Sequence, residues 1–410
     1  MPEIAKRLEV LSSSITLKQN EKVQKLLETG VLVYNLTSGQ LPYKPIAEFQ
    51  NAISNQTKYL KSFQYSPISG LRELKRKFFR KWCNDRQLNE HDMSEKLYCL
   101  ISNGSKQSLY NLFGSILNPD DEVILFTPYW ISYPQMIELW GGKIVPLMSY
   151  SHDGYRPDLN ELKKLITKKT KAILVNSPNN PAGIHYDYEW MKQLSQIVTE
   201  FPQLYLISDE VYADLSYFDP KPSYFYQFSP ELLDRTIIVH GISKNLCSTG
   251  LRIGYTFAHP EIIKAMEKIQ SHSTSGANTL IQRALLEFDF NLNDEFLAPI
   301  LENLRTNTNT LRESFRLHNL GSCWYQTTSA FYFMLDFART PYFEKFQSKS
   351  KNKINDYSSE ITDEILDKTN IALVPGNEFG YPNSARMTLT LQPSPFREAV
   401  DLLAQFLKAD

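Results

Sequence analysis

In the stretch HGISKNLCSTGLRIGY, His240 to Tyr255, Lys244 stands among small and polar residues and Arg252 follows eight positions later. A lysine in that setting is either a solvated surface cation or a nucleophile whose amine condenses with a carbonyl. Four other stretches carry residues of complementary chemistry: SNGSKQSLYNLF (Ser102–Phe113), TPYW (Thr127–Trp130), SPNNPAG (Ser177–Gly183) and SDEVYADL (Ser208–Leu215). Gly104 permits a tight turn ahead of a helix, which would let the amides of Ser105 and Lys106 face an anion. The same residues also suit an ordinary helix cap. Trp130 either fills core or offers a flat face to a planar heterocycle. Asn179, Asn180, Pro181 and Gly183 form a turn with or without a function. Asp209 closes an apolar run, where a carboxylate needs a cation or a hydrogen-bond donor, or else caps the next element.

Together these stretches hold an anion cradle, a flat face, an amide, a carboxylate, an amine and a guanidinium. That inventory suits an aromatic aldehyde phosphate joined to a lysine as a Schiff base.

Such residues need elements to bring them together. Between about Tyr98 and Ala258, short aliphatic runs (YCLIS, EVILF, KIVPL, KAILV, QLYLIS, RTIIVH, IGYTF) alternate with helix-like segments. That rhythm predicts an α/β fold with a mostly parallel sheet covered by helices on both faces, each chemical stretch falling in a loop after a strand. After Ala258 the pattern changes to the helices EIIKAMEKIQS and ENLRTNTNTLRESFRLH, then the strands AFYFML, IALVP and RMTLTL and a last amphipathic helix, REAVDLLAQFLKA. A smaller α+β unit follows from it. The polar stretch FQSKSKNKINDYSSE, Phe346 to Glu360, reads as an exposed loop.

With 410 residues the chain is long enough for two or three structural units. Its 44 basic and 45 acidic residues leave a net charge of −1, which provides no field to gather nucleic acid or anionic lipid. A small-molecule substrate is the better match. Cys83, Cys99, Cys247 and Cys323 are scattered, without CxxC or zinc-ligand spacing, and read as reduced thiols. Neither a signal peptide nor a membrane-length apolar run is evident, so the expected location is the cytoplasm and no metal is expected. No GxGxxG follows a strand candidate, which argues against a nicotinamide dehydrogenase. No helix-turn-helix module accompanies the enzyme-like region, which argues against a cofactor-sensing regulator.

From SSSITLKQNEKVQKLLETGVLVYNLTSGQ through YSPISGLRELK, GSKQSLYNLFGSILNPDDEVILFTPYWISYP, NSPNNPAG, SDEVYADL and SKNLCSTGLRIGY to VPGNEFG and ARMTLT, the chain resembles the fold-type I, pyridoxal-phosphate-dependent aminotransferases of class I/II. It is close to the aspartate aminotransferase group widespread in bacteria. The resemblance implies a homodimer with shared active sites and three parts: residues 1–44 as an N-terminal arm and part of a small domain, 45–290 as a large pyridoxal 5′-phosphate-binding domain, and 291–410 as a small C-terminal domain.

The resemblance also implies roles. Lys244 would be the Schiff-base lysine and proton shuttle, and Asp209 would keep the pyridine nitrogen protonated. Asn180 and Tyr212 would hydrogen-bond the phenolic oxygen, and Trp130 would stack on the ring. The phosphate would fall to Gly104, Ser105, Lys106, Ser243 and Arg252, with Tyr65 of the partner subunit. Arg386 would pair with the substrate's α-carboxylate, with a backbone amide from Gly39, while Trp130 and Asn180 would also line the substrate. The reaction so implied moves an amino group between an L-amino acid and a 2-oxo acid in two half-reactions. β-Elimination, substitution or oxidation on the same scaffold is the alternative. GQLPY (Gly39–Tyr43), Ser329 in place of a usual glycine and Gly241 in place of a frequent serine depart from the family pattern, and they bear on substrate choice and on the phosphate ligands.

Overall fold

The computed structural model describes residues 5–9, 11, 15–349 and 354–408. Its strands, in chain order, are β1 (Tyr34–Asn35), β2 (Tyr98–Ser102), β3 (Glu122–Phe126), β4 (Lys143–Leu147), β5 (Thr170–Asn176), β6 (Tyr205–Asp209), β7 (Thr236–Gly241), β8 (Gly254–Ala258), β9 (Tyr332–Asp336), β10 (Ile371–Ala372), β11 (Val374–Pro375) and β12 (Ser384–Thr388). The α/β core is a seven-stranded sheet in the order β2-β8-β7-β6-β5-β3-β4. Strands β3 to β7 pair parallel, and β8 runs antiparallel to both of its neighbours.

Alternation within each strand sends its side chains to two separate cores. Val123, Leu125, Ala172, Leu174 and Ile207 pack on one face beneath the helices Ser105–Ile116 and Pro260–Ser271, which contribute Leu112, Phe113, Ile263 and Met266. Ile124, Phe126, Ile173, Val175 and Leu206 pack on the other beneath Arg72–Asp85 and Tyr188–Thr199, which contribute Phe78, Trp82, Trp190 and Leu194. Runs of consecutive apolar residues are therefore required, because neither face meets water.

A second, antiparallel sheet has the order β11-β12-β9, and β1 pairs with β10 in parallel. The long helix Asn293–Leu317 covers this region, with Phe315 set edge-on to Phe333 at 5.9 Å. The N-terminal segment is held on both sides, since Leu36 donates to the Ala372 carbonyl at 3.1 Å and accepts from Thr388 at 2.9 Å.

The structure corrects three sequence expectations. IALVP does not form one strand: Ile371–Ala372 serves β1 and Val374–Pro375 serves β12, and Pro375 brings no N–H to a longer ladder. The helix expected from Glu302 begins earlier, at Asn293. The stretch Phe346–Glu360 is not simply an exposed loop. It starts inside the helix Pro341–Lys349 and ends inside the helix Ser358–Thr369, because the rings of Phe346 and buried Tyr357, 5.6 Å apart, anchor its flanks; residues 350–353 lie outside the described residues. The four cysteines are free, three of them buried, and no helix among the described residues is long and apolar enough to cross a membrane.

Gly183, at the end of SPNNPAG, sits on the seam between the two sheets. Its carbonyl accepts from Thr328 and Ser329, its φ is +68°, and an added Cβ would overlap the carbonyl oxygen of Tyr332 in β9. Only glycine fits a left-handed backbone pressed against another backbone. Gly183→Ala is expected to cost about 2 kcal/mol or more of folding stability. An unchanged midpoint in denaturant titration would contradict this.

Candidate active site

The loops at the carboxyl ends of β2, β3, β5, β6 and β7 open on one cavity of about 800 Å³. Arg252 reaches the same edge for a different reason: β8 is antiparallel, so the residues just before it arrive where the other strands end. It adopts a left-handed backbone, φ +55°, and its guanidinium donates to the carbonyls of Thr249 at 2.8 Å and Asn103 at 3.3 Å.

Beside Arg252 begins the helix Ser105–Ile116, whose first amides lack intrahelical partners. Gly104, φ +88°, makes the approach possible, since a Cβ there would lie 2.5 Å from Arg252 Nη2. The Ser105 hydroxyl donates to the His240 carbonyl at 2.8 Å, and a Cβ on Gly241 would come within 2.5 Å of that hydroxyl. Glycine at 241 thus follows from the packing of Ser105. The result is a concave set of N–H groups, a hydroxyl and a guanidinium, which is a cradle for an anion.

Asp209 is the last residue of β6 and is buried. Its carboxylate accepts from the Tyr133 hydroxyl at 2.5 Å and from the Val211 N–H at 3.3 Å. Burial pushes the Asp209 carboxyl up to about 6, with both of these donors pulling the other way. A carboxylate so placed is best satisfied by a proton-bearing nitrogen.

Lys244 Nζ donates to the Gly39 carbonyl at 2.6 Å. Burial first, then Arg386 and Arg252, pull its ammonium down to about 8, while Asp209 opposes them. An amine with that pKa is partly unprotonated near neutral pH and can act as nucleophile or base.

On the far wall, Arg386 of β12 crosses from the second sheet. It donates to Thr37 O at 2.8 Å and to Asn180 Oδ1 at 3.3 Å, and it lies over the Tyr332 ring at 4.7 Å and the Phe379 ring at 5.1 Å. Its Nε is buried without a partner, an edge open to a carboxylate. The Tyr212 hydroxyl meets the Tyr332 hydroxyl at 3.0 Å and accepts from Asn180 Nδ2 at 3.5 Å. Lys106 Nζ lies 4.9 Å over the Trp130 ring, and burial and Arg252 lower its pKa. Among the described residues the lining holds four cations, Lys106, Lys244, Arg252 and Arg386, against two carboxylates, Asp209 and Glu378. The cavity is built for anions.

Of the residues singled out from sequence, Gly39, Ser105, Lys106, Trp130, Asn180, Asp209, Tyr212, Ser243, Lys244, Arg252 and Arg386 line this cavity. Gly104 stands behind its wall. Tyr65 lies outside it, 96% exposed. Gly39 meets Lys244 through its carbonyl, where the family resemblance pointed to its amide. Sequence reasoning missed Tyr133, Tyr332, Asn176 and Glu378. Asn176 donates to the Asp209 carbonyl at 3.1 Å and accepts from the Asn180 N–H at 3.0 Å. Its position as the last residue of β5, and that of Tyr133 one turn after Trp130, were the available signals.

The sequence model of the family Aminotransferase class I and II matches residues 32–403. The chain is 31% identical over 406 residues to an aspartate aminotransferase of Bacillus subtilis (strain 168), covering 99% of each. It is 30% identical over 411 residues to an aspartate/prephenate aminotransferase of Thermus thermophilus, again over 99% of each. Among solved structures it is similar to an aspartate aminotransferase from Thermus thermophilus with maleate, with TM-score 0.86, 29% identity, and 99% of this chain and 100% of that one covered. The aspartate aminotransferase from Rhizobium meliloti superposes with TM-score 0.87 at 26% identity, over 99% of each chain.

The depressed Lys244 pKa carries a linkage consequence. Below about pH 8 its ammonium is charged in both the folded and the unfolded chain, and folding bears the full cost of burying it. Between about 8 and the ordinary 10.5 only the unfolded chain keeps the proton, so stability rises with pH. Lys244→Met should therefore stabilise the cofactor-free protein at pH 7, with the advantage fading above pH 8 as the wild type catches up. Thermal midpoints of both proteins across that range test it; parallel curves would refute it.

Proposed function

The chain belongs to the class I and II aminotransferases, and on that basis we propose how its residues divide the work of the reaction. It moves an amino group between an amino acid and a 2-oxo acid, as a member of a family that depends on pyridoxal 5′-phosphate. The relatives above are named as aminotransferases, which does not favour elimination, substitution or oxidation.

Three features fit the cofactor: the anion cradle around Gly104 and Arg252, the buried Asp209 carboxyl in want of a protonated nitrogen, and the amine of Lys244 between them. When bound, pyridoxal 5′-phosphate supplies an aldehyde that accepts the amino group and a ring that accepts the electron pair released at the substrate's α-carbon. In this reading Ser105, the first amides of its helix, Ser243 and Arg252 hold the phosphate. Tyr133 fixes Asp209, which holds the ring nitrogen protonated. Asn180 and Tyr212 donate to the phenolic oxygen, and Trp130 covers the ring. Lys244 would hold the cofactor's aldehyde carbon, and its Nζ would take the α-proton and return it. Arg386 binds the α-carboxylate through the edge left open at Nε.

The remaining cation, Lys106, has no carboxylate within ion-pair reach among the described residues. We assign its side chain to a second carboxylate on the substrate, in keeping with relatives named for aspartate and a neighbour bound to the dicarboxylate maleate. The exposed apolar run of Leu60, Phe63 and Tyr65 supports a homodimer in which Tyr65 completes the phosphate site of the partner. The free cysteines are in keeping with a reducing cytoplasm.

The observation that carries this reading is the depressed amine of Lys244 between Asp209, Arg252 and Arg386 in one cavity. The loaded dimeric protein should show a visible absorption band that bleaches with an amino acid and returns with a 2-oxo acid. A Lys244→Ala protein that completes this cycle, or a fully active monomer, would sink the assignment.

Lys106→Ala should lower kcat/KM for aspartate by roughly ten- to a hundredfold, as loss of a charged hydrogen bond does, while alanine is nearly unaffected. Equal losses for both donors would remove Lys106 from substrate recognition.

A further inference from the structure

Behind the cavity, the residues that follow Asp209 and Lys244 in sequence are themselves held by buried charge. Successive side chains at a strand end point to opposite faces, so Glu210 leaves β6 on the side away from Asp209. Glu210 is completely buried, and its Oε1 accepts from the Tyr226 hydroxyl at 2.7 Å and the Ser208 hydroxyl at 2.8 Å. Its Oε2 pairs with Arg86, which ends the helix Arg72–Asp85, is 7% exposed, donates to the Tyr226 hydroxyl at 3.2 Å and covers the Tyr224 ring at 4.6 Å.

The same arrangement recurs at the lysine. Buried Asn245 donates to Asp214 at 2.6 Å. Burial raises the Asp214 carboxyl, but Lys81, His240, the bond from Asn245 and Arg86 outweigh it, so the group remains an anion. Arg86 lies in the field of both Glu210 and Asp214, which joins the two arrangements. Arg86, Glu210, Asp214 and Asn245 do not line the cavity. A buried ion pair adds little net stability over apolar packing of the same shape, so stability alone gives it no reason to be there.

We propose that the Arg86–Glu210 pair and the Asp214–Asn245 bond form one brace that sets the aim of Asp209 and Lys244, making these four positioning residues for amino transfer. The proposal rests on the function assigned above. Glu210 shares a peptide with Asp209 and Asn245 shares one with Lys244, so a turn of either peptide swings the carboxylate or the amine. Displacement by about 1 Å is enough to cost on the order of a hundredfold in rate.

The test compares full-length wild type with Glu210→Gln, Asn245→Ala and the double variant Arg86→Met/Glu210→Gln. Three quantities are read: kcat and KM of the loaded enzyme, the thermal midpoint, and the pH midpoint at which cofactor-stripped chain captures pyridoxal 5′-phosphate, followed by visible absorbance. That last midpoint reports the free amine of Lys244, which faces Arg386, Arg252 and Asp209. Each variant should lose about tenfold in kcat with KM for the amino donor within about twofold. The capture midpoint should rise by about half a pH unit or more, as a loosened Lys244 gains water. If Glu210→Gln does not fold, Asn245→Ala decides alone. The brace is refuted if the folded variants keep the wild-type capture midpoint, or if kcat falls only as far as the folded fraction does. A wild type that neither captures the cofactor nor transfers an amino group overturns the functional reading itself, and with it any positioning role.

Discussion

Burial of one amine beside two guanidinium groups organises this molecule. Burial is the first cause, and Arg386 from the small sheet and Arg252 from the large one add to it, so the ammonium gives up its proton more readily than a solvated lysine. Every other part of the site answers to that placement. Asp209 supplies the opposing charge, and the Gly39 carbonyl accepts a direct hydrogen bond from the amine. Excess positive charge in the cavity is tolerable in the folded chain because its natural contents are anions.

The geometry that creates this crowding is topological. Parallel strands deliver their loops to one edge, and the reversal of β8 brings Arg252 to that edge as well. The second sheet adds Arg386 and Tyr332 from above, through a seam tight enough that glycine is the residue that fits at 183. Two rigid sheets joined at a narrow seam hold two guanidinium groups apart on either side of the amine.

Much of this was legible in the sequence because strand-then-loop punctuation is local. Lys244, Asp209 and Asn180 each follow an apolar run within a few residues, so type and position coincide in the linear text. What escaped notice depends on contacts made across the fold. Tyr133 reaches Asp209 over 76 residues, Tyr332 reaches Tyr212 over 120 and Arg86 reaches Glu210 over 124, and no spacing rule links such pairs. The stretch Phe346–Glu360 was misjudged for a related reason: its polar composition outweighed two aromatic anchors whose partners lie in three dimensions. Likewise IALVP is apolar throughout, and nothing in it marks the point where the chain leaves one sheet for another.

The pairing of β1 with β10 bears on how the protein is made. Tyr34 and Asn35 emerge early in synthesis, yet their strand partners are Ile371 and Ala372, and Leu36 and Thr37 wait for Thr388 and Arg386. The large sheet can form as the chain lengthens, while the segment carrying Gly39 stays without its docking partners until the last strands appear. Lys244 therefore gains its carbonyl partner and its second guanidinium neighbour late and together. A chain stopped short of β12 holds the lysine without Arg386 beside it, so the amine reaches its depressed pKa only after β12 has docked.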